Sequence, residues 1–157
     1  MQYTRYMMGS SFFLISVLYV STAAWSQQGA TPPNSGTDVS SLIGLTLDGL
    51  FSRFGFPQSV HAVRGVETWQ DDVVFVYEDQ DFYVYKNRVW QIEVKAAYGI
   101  KLGDPVGMAS QILGSGITYF TDYLLYPLPG RGWPLMLRIN FDRLQSVSAI
   151  FIYRSDF

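Results

Sequence analysis

The chain has 157 residues, 48% of them hydrophobic and 15% charged, with a formal charge of −2. Such a length and apolar content supply one buried core and exclude a disordered polymer. The mild negative charge, with no Lys/Arg run, gives a nucleic-acid partner no footing. Cysteine is absent, which excludes disulfides, thiol nucleophiles, thiolate metal sites and the acylated cysteine of a bacterial lipoprotein.

The chain opens with Arg5, an apolar run from Phe12 to Val20, and the small residues Ser21-Thr22-Ala23-Ala24-Trp25-Ser26. Cation, apolar core and small-residue site, in that order, make a secretory signal over residues 1–26. Ala24 and Ser26 fit the two small positions, so cleavage is expected before Gln27. The alternative is an uncleaved anchor over Met7–Ala24, close to the shortest apolar stretch that spans a bilayer. Residues 27–41 are rich in Gly, Pro, Ser, Thr and Asn with hardly an apolar side chain. They read as a flexible leader. A folded domain is expected over 42–157.

Two similar phrases follow. In the first, Thr46 is the expected helix N-cap, Leu47, Leu50, Phe51 and Phe54 recur at helical spacing, and Gly55 and Pro57 stop the helix. In the second, Asp104 is the expected N-cap and Pro105 the first helical residue, with Met108 and Ile112 on the apolar stripe and Gly114 as the stop. Gly49 and Gly107 inside these helices predict close approach to a sheet. Strands are predicted over Ser59–Trp69, Val73–Tyr77, Phe82–Tyr85 and Val89–Lys95 after the first helix. Ile117–Leu128, Leu135–Phe141 and Val147–Tyr153 follow the second. Short polar breaks such as Lys86-Asn87-Arg88 predict antiparallel hairpins.

Sliding the second half back onto the first aligns Thr46 with Asp104, Tyr83 with Phe141 and Ile92 with Ile150. The expected fold class is therefore α+β. Two tandem helix-plus-antiparallel-sheet units, residues 42–97 and 98–157, would form one two-layer domain.

The phrase Gly-apolar-x-Leu, then a short helix, then Gly resembles the SmpA/OmlA domain, the small lipoprotein component of the outer-membrane β-barrel assembly machine. Its doubling resembles the β-lactamase inhibitor protein. The resemblance covers Leu42 to Tyr153 and implies helices on one sheet face and a scaffold that binds proteins without catalysis. The missing cysteine departs from both, removing the lipid anchor of one and the disulfides of the other.

No constellation for chemistry stands out. His61 is the lone histidine and lies between valines in a strand, where a surface position is the simpler reading. The acids from Glu67 to Asp81 fall where hairpin turns want polar residues, and no EF-hand loop pattern accompanies them. The serines lack a base and an acid in any recognisable order. The sequence predicts no enzyme, no catalytic residue, no cofactor and no metal.

Strand alternation gives the functional lead. Trp90, Ile92 and Val94 share one parity, expected to face the helices. Tyr83 and Tyr85 on one strand, Phe151 and Tyr153 on another, and Tyr77 at a strand end are expected on a helix-free face. With Arg131 and Trp133 on the Pro127–Pro134 loop, these make the candidate partner-binding set. The expected function is an exported, non-enzymatic interaction module of a bacterial envelope with a protein partner, periplasmic or secreted. A membrane contact enters only if the signal is retained. The alternative is a carrier of an apolar small molecule or lipid between helices and sheet.

Overall fold

A computed structural model describes residues 38–64, 71–130 and 132–157. The signal, the first eleven leader residues, the end of the Ser59–Trp69 run and Arg131 lie outside the described residues.

A 3-10 helix over Val39–Leu42 comes first and buries Ser40 and Leu42, so ordered structure begins within the last residues read as leader. The first α-helix, α1, spans Leu47–Phe54. The Thr46 hydroxyl oxygen accepts the Gly49 N–H at 3.2 Å, satisfying one of the donors every helix start leaves open. Gly55 ends it at φ 73°, a left-handed backbone that costs glycine nothing.

Four strands follow: β1 (Ser59–Val63), β2 (Asp72–Val76), β3 (Gln80–Tyr85) and β4 (Arg88–Val94). A small hairpin of β5 (Ala96–Ala97) and β6 (Ile100–Lys101) comes next, then α2 (Val106–Leu113). Pro105, not Asp104, occupies the cap position of α2, with extended φ and ψ. The Asp104 carboxylate is buried and accepts the Lys101 N–H at 2.9 Å, tying the preceding turn. The chain closes with β7 (Thr118–Tyr119), β8 (Tyr123–Leu128), β9 (Leu135–Phe141) and β10 (Val147–Arg154).

The expectation of two tandem helix-plus-sheet units is overturned. Eight strands form one continuous antiparallel sheet in the order β1-β2-β3-β4-β10-β9-β8-β7. β4 and β10 pair antiparallel at its middle, with Ile152 opposite Ile92 and Ile150 opposite Val94. Each of those strands has its ladder groups satisfied on both sides, so the halves share a sheet and a core. The fold is a single sheet-dominated domain with two α-helices among the described residues. Glycine inside the helices does not mark close approach to the sheet. A side chain at Gly107 would meet nothing within 4 Å, and one at Gly49 would touch only Leu45 and Thr46, the two residues that precede the helix.

One face of the sheet carries the core. Phe82, Ile92, Ile150, Ile152, Leu137, Ile139 and Leu124 are fully buried there, together with Leu50 of α1 and Ala109 and Leu113 of α2. Burying each large aliphatic side chain stabilises by roughly 1.5–3 kcal/mol, so this face provides the main driving force for folding.

Candidate functional site

In an antiparallel pair, directly opposed residues share a face, so the register sorts the other side of the sheet. Tyr83 opposes Val74 on β2 and Gln91 on β4. Gln91 opposes Tyr153, and Glu93 opposes Phe151. Tyr153 then opposes Met136, and Phe151 opposes Arg138. Arg138 in turn faces Leu125, while Tyr123 faces Asn140. Tyr83, Tyr85, Phe151 and Tyr153 are thus brought to one surface running across the middle of the sheet, all half-buried. No helix residue packs on it among the described residues; those of α1 and α2 that pack join the core on the opposite face.

Two of the sequence-derived positions belong elsewhere. Tyr77 follows the end of β2 and turns to the helix side. Its ring meets Phe54 and Phe82 at 5.8 and 5.6 Å, and its hydroxyl donates to the Gly55 carbonyl at 2.9 Å. Alternation alone does not decide the face here, because both parities of the Val73–Tyr77 run are apolar; Tyr77 shares its parity with Phe75, which opposes core-facing Phe82. Trp133 folds back on the molecule and joins the edge of the core. Its ring lies where a side chain at Gly44 would sit, 2.6 Å from the ideal Cβ, and the Arg154 guanidinium stands 4.5 Å from the ring centroid.

Trp90 moves the other way. Tyr83 pairs with Gln91 but Val84 pairs with Val89, so Trp90 is the extra residue of a β-bulge. Val89 takes the core position, and the Trp90 indole N–H donates to Asp72 at 3.0 Å. Asp72 alternates with Val73, which opposes core-facing Val84, so the indole reaches the helix-free side. The expectation that Trp90 faces the helices is corrected, because a bulge resets parity and leaves no mark in composition.

The polar groups of this face are mostly committed to its own side chains. The Tyr83 hydroxyl donates to Glu93 Oε2 at 3.0 Å. Burial first, then the nearby Glu93 charge, pushes the Tyr83 hydroxyl well above the usual tyrosine range. Burial likewise raises the Asp72 carboxyl; the Trp90 hydrogen bond opposes this, and the charge of Asp71 adds to it. Arg138 donates to Asn140 at 2.8 Å and lies 4.0 Å over the Tyr123 ring, whose other neighbour, Phe120, stacks on it at 4.4 Å. Burial raises the Tyr153 hydroxyl, with Arg138 pulling it back. Val74 is 1% exposed yet stands outside the core cluster; its cross-strand neighbours on this face are His61 and Tyr83.

The arrangement offers broad aromatic surface with neutralised polar edges. His61 lies exposed on the edge strand β1. Among the described residues no three His, Asp or Glu side chains gather in a way that could hold a metal ion.

No family model matches the chain, and no curated protein matches it. The resemblance of the helix phrases to the SmpA/OmlA domain is carried by no such match. A solved structure similar in fold is that of an extracellular protein containing an SCP domain from Bacillus anthracis str. Ames. The TM-score is 0.51 at 14% identity, over 79% of this chain and 48% of that one. The chain therefore spans about half the length of that protein, and at this identity the likeness shows the fold alone.

Proposed function

We propose that the chain is an exported, non-enzymatic interaction module of a bacterial envelope that takes a protein partner on the helix-free face of its sheet. The observation that carries this reading is the aromatic band of Trp90, Tyr83, Tyr85, Tyr153 and Phe151 on a sheet face to which neither α-helix contributes. Broad aromatic surface of this kind supplies rigid contact area at little entropic cost, which is why tyrosine and tryptophan anchor interfaces.

Export rests on the signal-like order of Arg5, the Phe12–Val20 run and the Ala24–Ser26 site. The extracellular character of the fold neighbour agrees with it. Cleavage before Gln27 would free the protein into the periplasm or the medium; retention would hold the face near a membrane. N-terminal sequencing of the native protein decides between these.

The test of the interface is capture of crosslinked partner from the native envelope. Replacing Phe151 and Tyr153 together by Ala should lower capture at least tenfold, since interface aromatics carry about 2 kcal/mol or more each. Unchanged capture by a folded double variant would refute the reading.

A further inference from the structure

Beyond β10 the chain turns back over one end of the aromatic band. Ser155 N–H donates to the Pro134 carbonyl at 3.1 Å, and Arg154 and Asp156 form a two-point ion pair at 3.0 and 2.9 Å. This places the Phe157 ring parallel to Trp90, with centroids 5.5 Å apart and planes 8° apart. The same ring meets Tyr85 edge-on, at 5.6 Å and 89°, and the Arg154 guanidinium stands 5.1 Å from its centroid. The receiving ring is itself fixed, by the bulge in β4 and the Trp90–Asp72 hydrogen bond.

Two features separate this contact from core packing. Phe157 remains 58% exposed and lies outside the core cluster. Its contacts are ring-specific: a near-parallel partner, an edge-on partner and a flanking cation, arrangements that ring quadrupoles favour and an aliphatic side chain could not reproduce.

We propose that the corner formed by Trp90 and Tyr85 is a seat for an aromatic side chain. Phe157 fills it in this structure, and an aromatic residue of the partner displaces Phe157 on docking. The displacement rests on the helix-free face being the docking surface. It names the partner's anchor as aromatic and makes the segment after β10 an intramolecular competitor. Because a tethered ring competes at high effective concentration, removing it should strengthen binding.

The test uses the full chain, its Phe157→Ala and Phe157→Tyr variants, and two probes, N-acetyl-phenylalaninamide and N-acetyl-leucinamide. Binding is followed by the Trp90 indole N–H resonance. Phe157→Ala should bind the phenylalanine probe about threefold to tenfold more tightly than the unaltered chain, in line with the energy of an aromatic pair. It should bind the leucine probe distinctly less well. Phe157→Tyr should behave as the unaltered chain does. Equal titration of Phe157→Ala and the unaltered chain, no binding by either, or equal response to both probes would overturn the seat. The small probes need no protein partner, so this failure is separable from failure of the interface. A seat that titrates as expected, with capture indifferent to Phe151 and Tyr153, would refute the docking surface instead.

Discussion

The two faces of the sheet are made by alternate residues of the same strands, yet they are built of different matter. On the helix side, Ile92, Ile150, Ile152, Leu137 and Ile139 are wholly buried. Against them, one residue along, stand Gln91, Glu93, Phe151, Tyr153, Met136, Arg138 and Asn140, all half-buried. Branched aliphatics interlock under the helices and specify one packing. Aromatic and polar side chains on the other face satisfy one another laterally, through Tyr83–Glu93, Trp90–Asp72 and Arg138–Asn140. Stability is thereby concentrated on one face, which leaves the other free to serve recognition.

The sharpest way to break this comparison is to truncate neighbours of opposite parity. Ile152→Ala should cost about 2–5 kcal/mol, as deletions in a closed core do. Phe151→Ala, adjacent in sequence, should cost about 1 kcal/mol, the centre of the mutational distribution. Chemical denaturation of both variants checks this. Equal losses would mean that both faces are core. Thr46→Ala should cost about 1 kcal/mol by removing the α1 cap, with the loss read in the same experiment.

On the helix-free face the effects are smaller and depend on pH. Tyr83→Phe should cost about 0.5–1.5 kcal/mol at neutral pH by losing its hydrogen bond to Glu93. The folded chain holds the Tyr83 proton above the usual tyrosine range. Its contribution is therefore complete below the ordinary value near 10 and is lost as pH rises through the folded value. The denaturation midpoint of the unaltered chain should fall more steeply from about pH 9 to 11 than that of Tyr83→Phe.

Asp72 carries the smallest effect. Its carboxyl is raised by burial, so ionising it costs stability, and the cost is relieved as pH falls through its folded value. Asp72→Asn keeps an oxygen to accept the Trp90 N–H and removes the charge. Its melting temperature at neutral pH should equal or slightly exceed that of the unaltered chain. A clear drop would show that the charge itself holds the indole.

What the sequence discloses follows from how local each determinant is. The helices were legible from Thr46, Gly55 and Gly114, because capping and stopping are decided within a turn. The strands from Asp72 to Val94 and from Leu135 onward were legible from alternation and hairpin turns. The union of the two halves was not. The pairing of β4 with β10 joins Ile92 to Ile152, and nothing local distinguishes a strand that ends a sheet from one that continues it. That is why a doubled helix phrase suggested two units where one sheet exists.

Within the site, Tyr83, Tyr85, Phe151 and Tyr153 followed from parity, while Trp90 and Tyr77 did not. A bulge moved the first, and the second lies in a run whose two parities are both apolar, so only its pairing shows that it follows Phe75 to the core side. Phe157 gave no periodic signal at all. Its position depends on the Arg154–Asp156 pair and on a ring contact with Trp90, both visible only in three dimensions.

The central claim is that recognition belongs to the helix-free face. A photoreactive phenylalanine analogue placed at Phe151, and separately at Met108, an exposed position on α2, tests it in the native envelope. Both positions accept a bulky side chain at modest cost. The account predicts a discrete crosslinked protein from position 151 and none from position 108. Crosslinking of the same protein from position 108 alone, or equally from both, would contradict it.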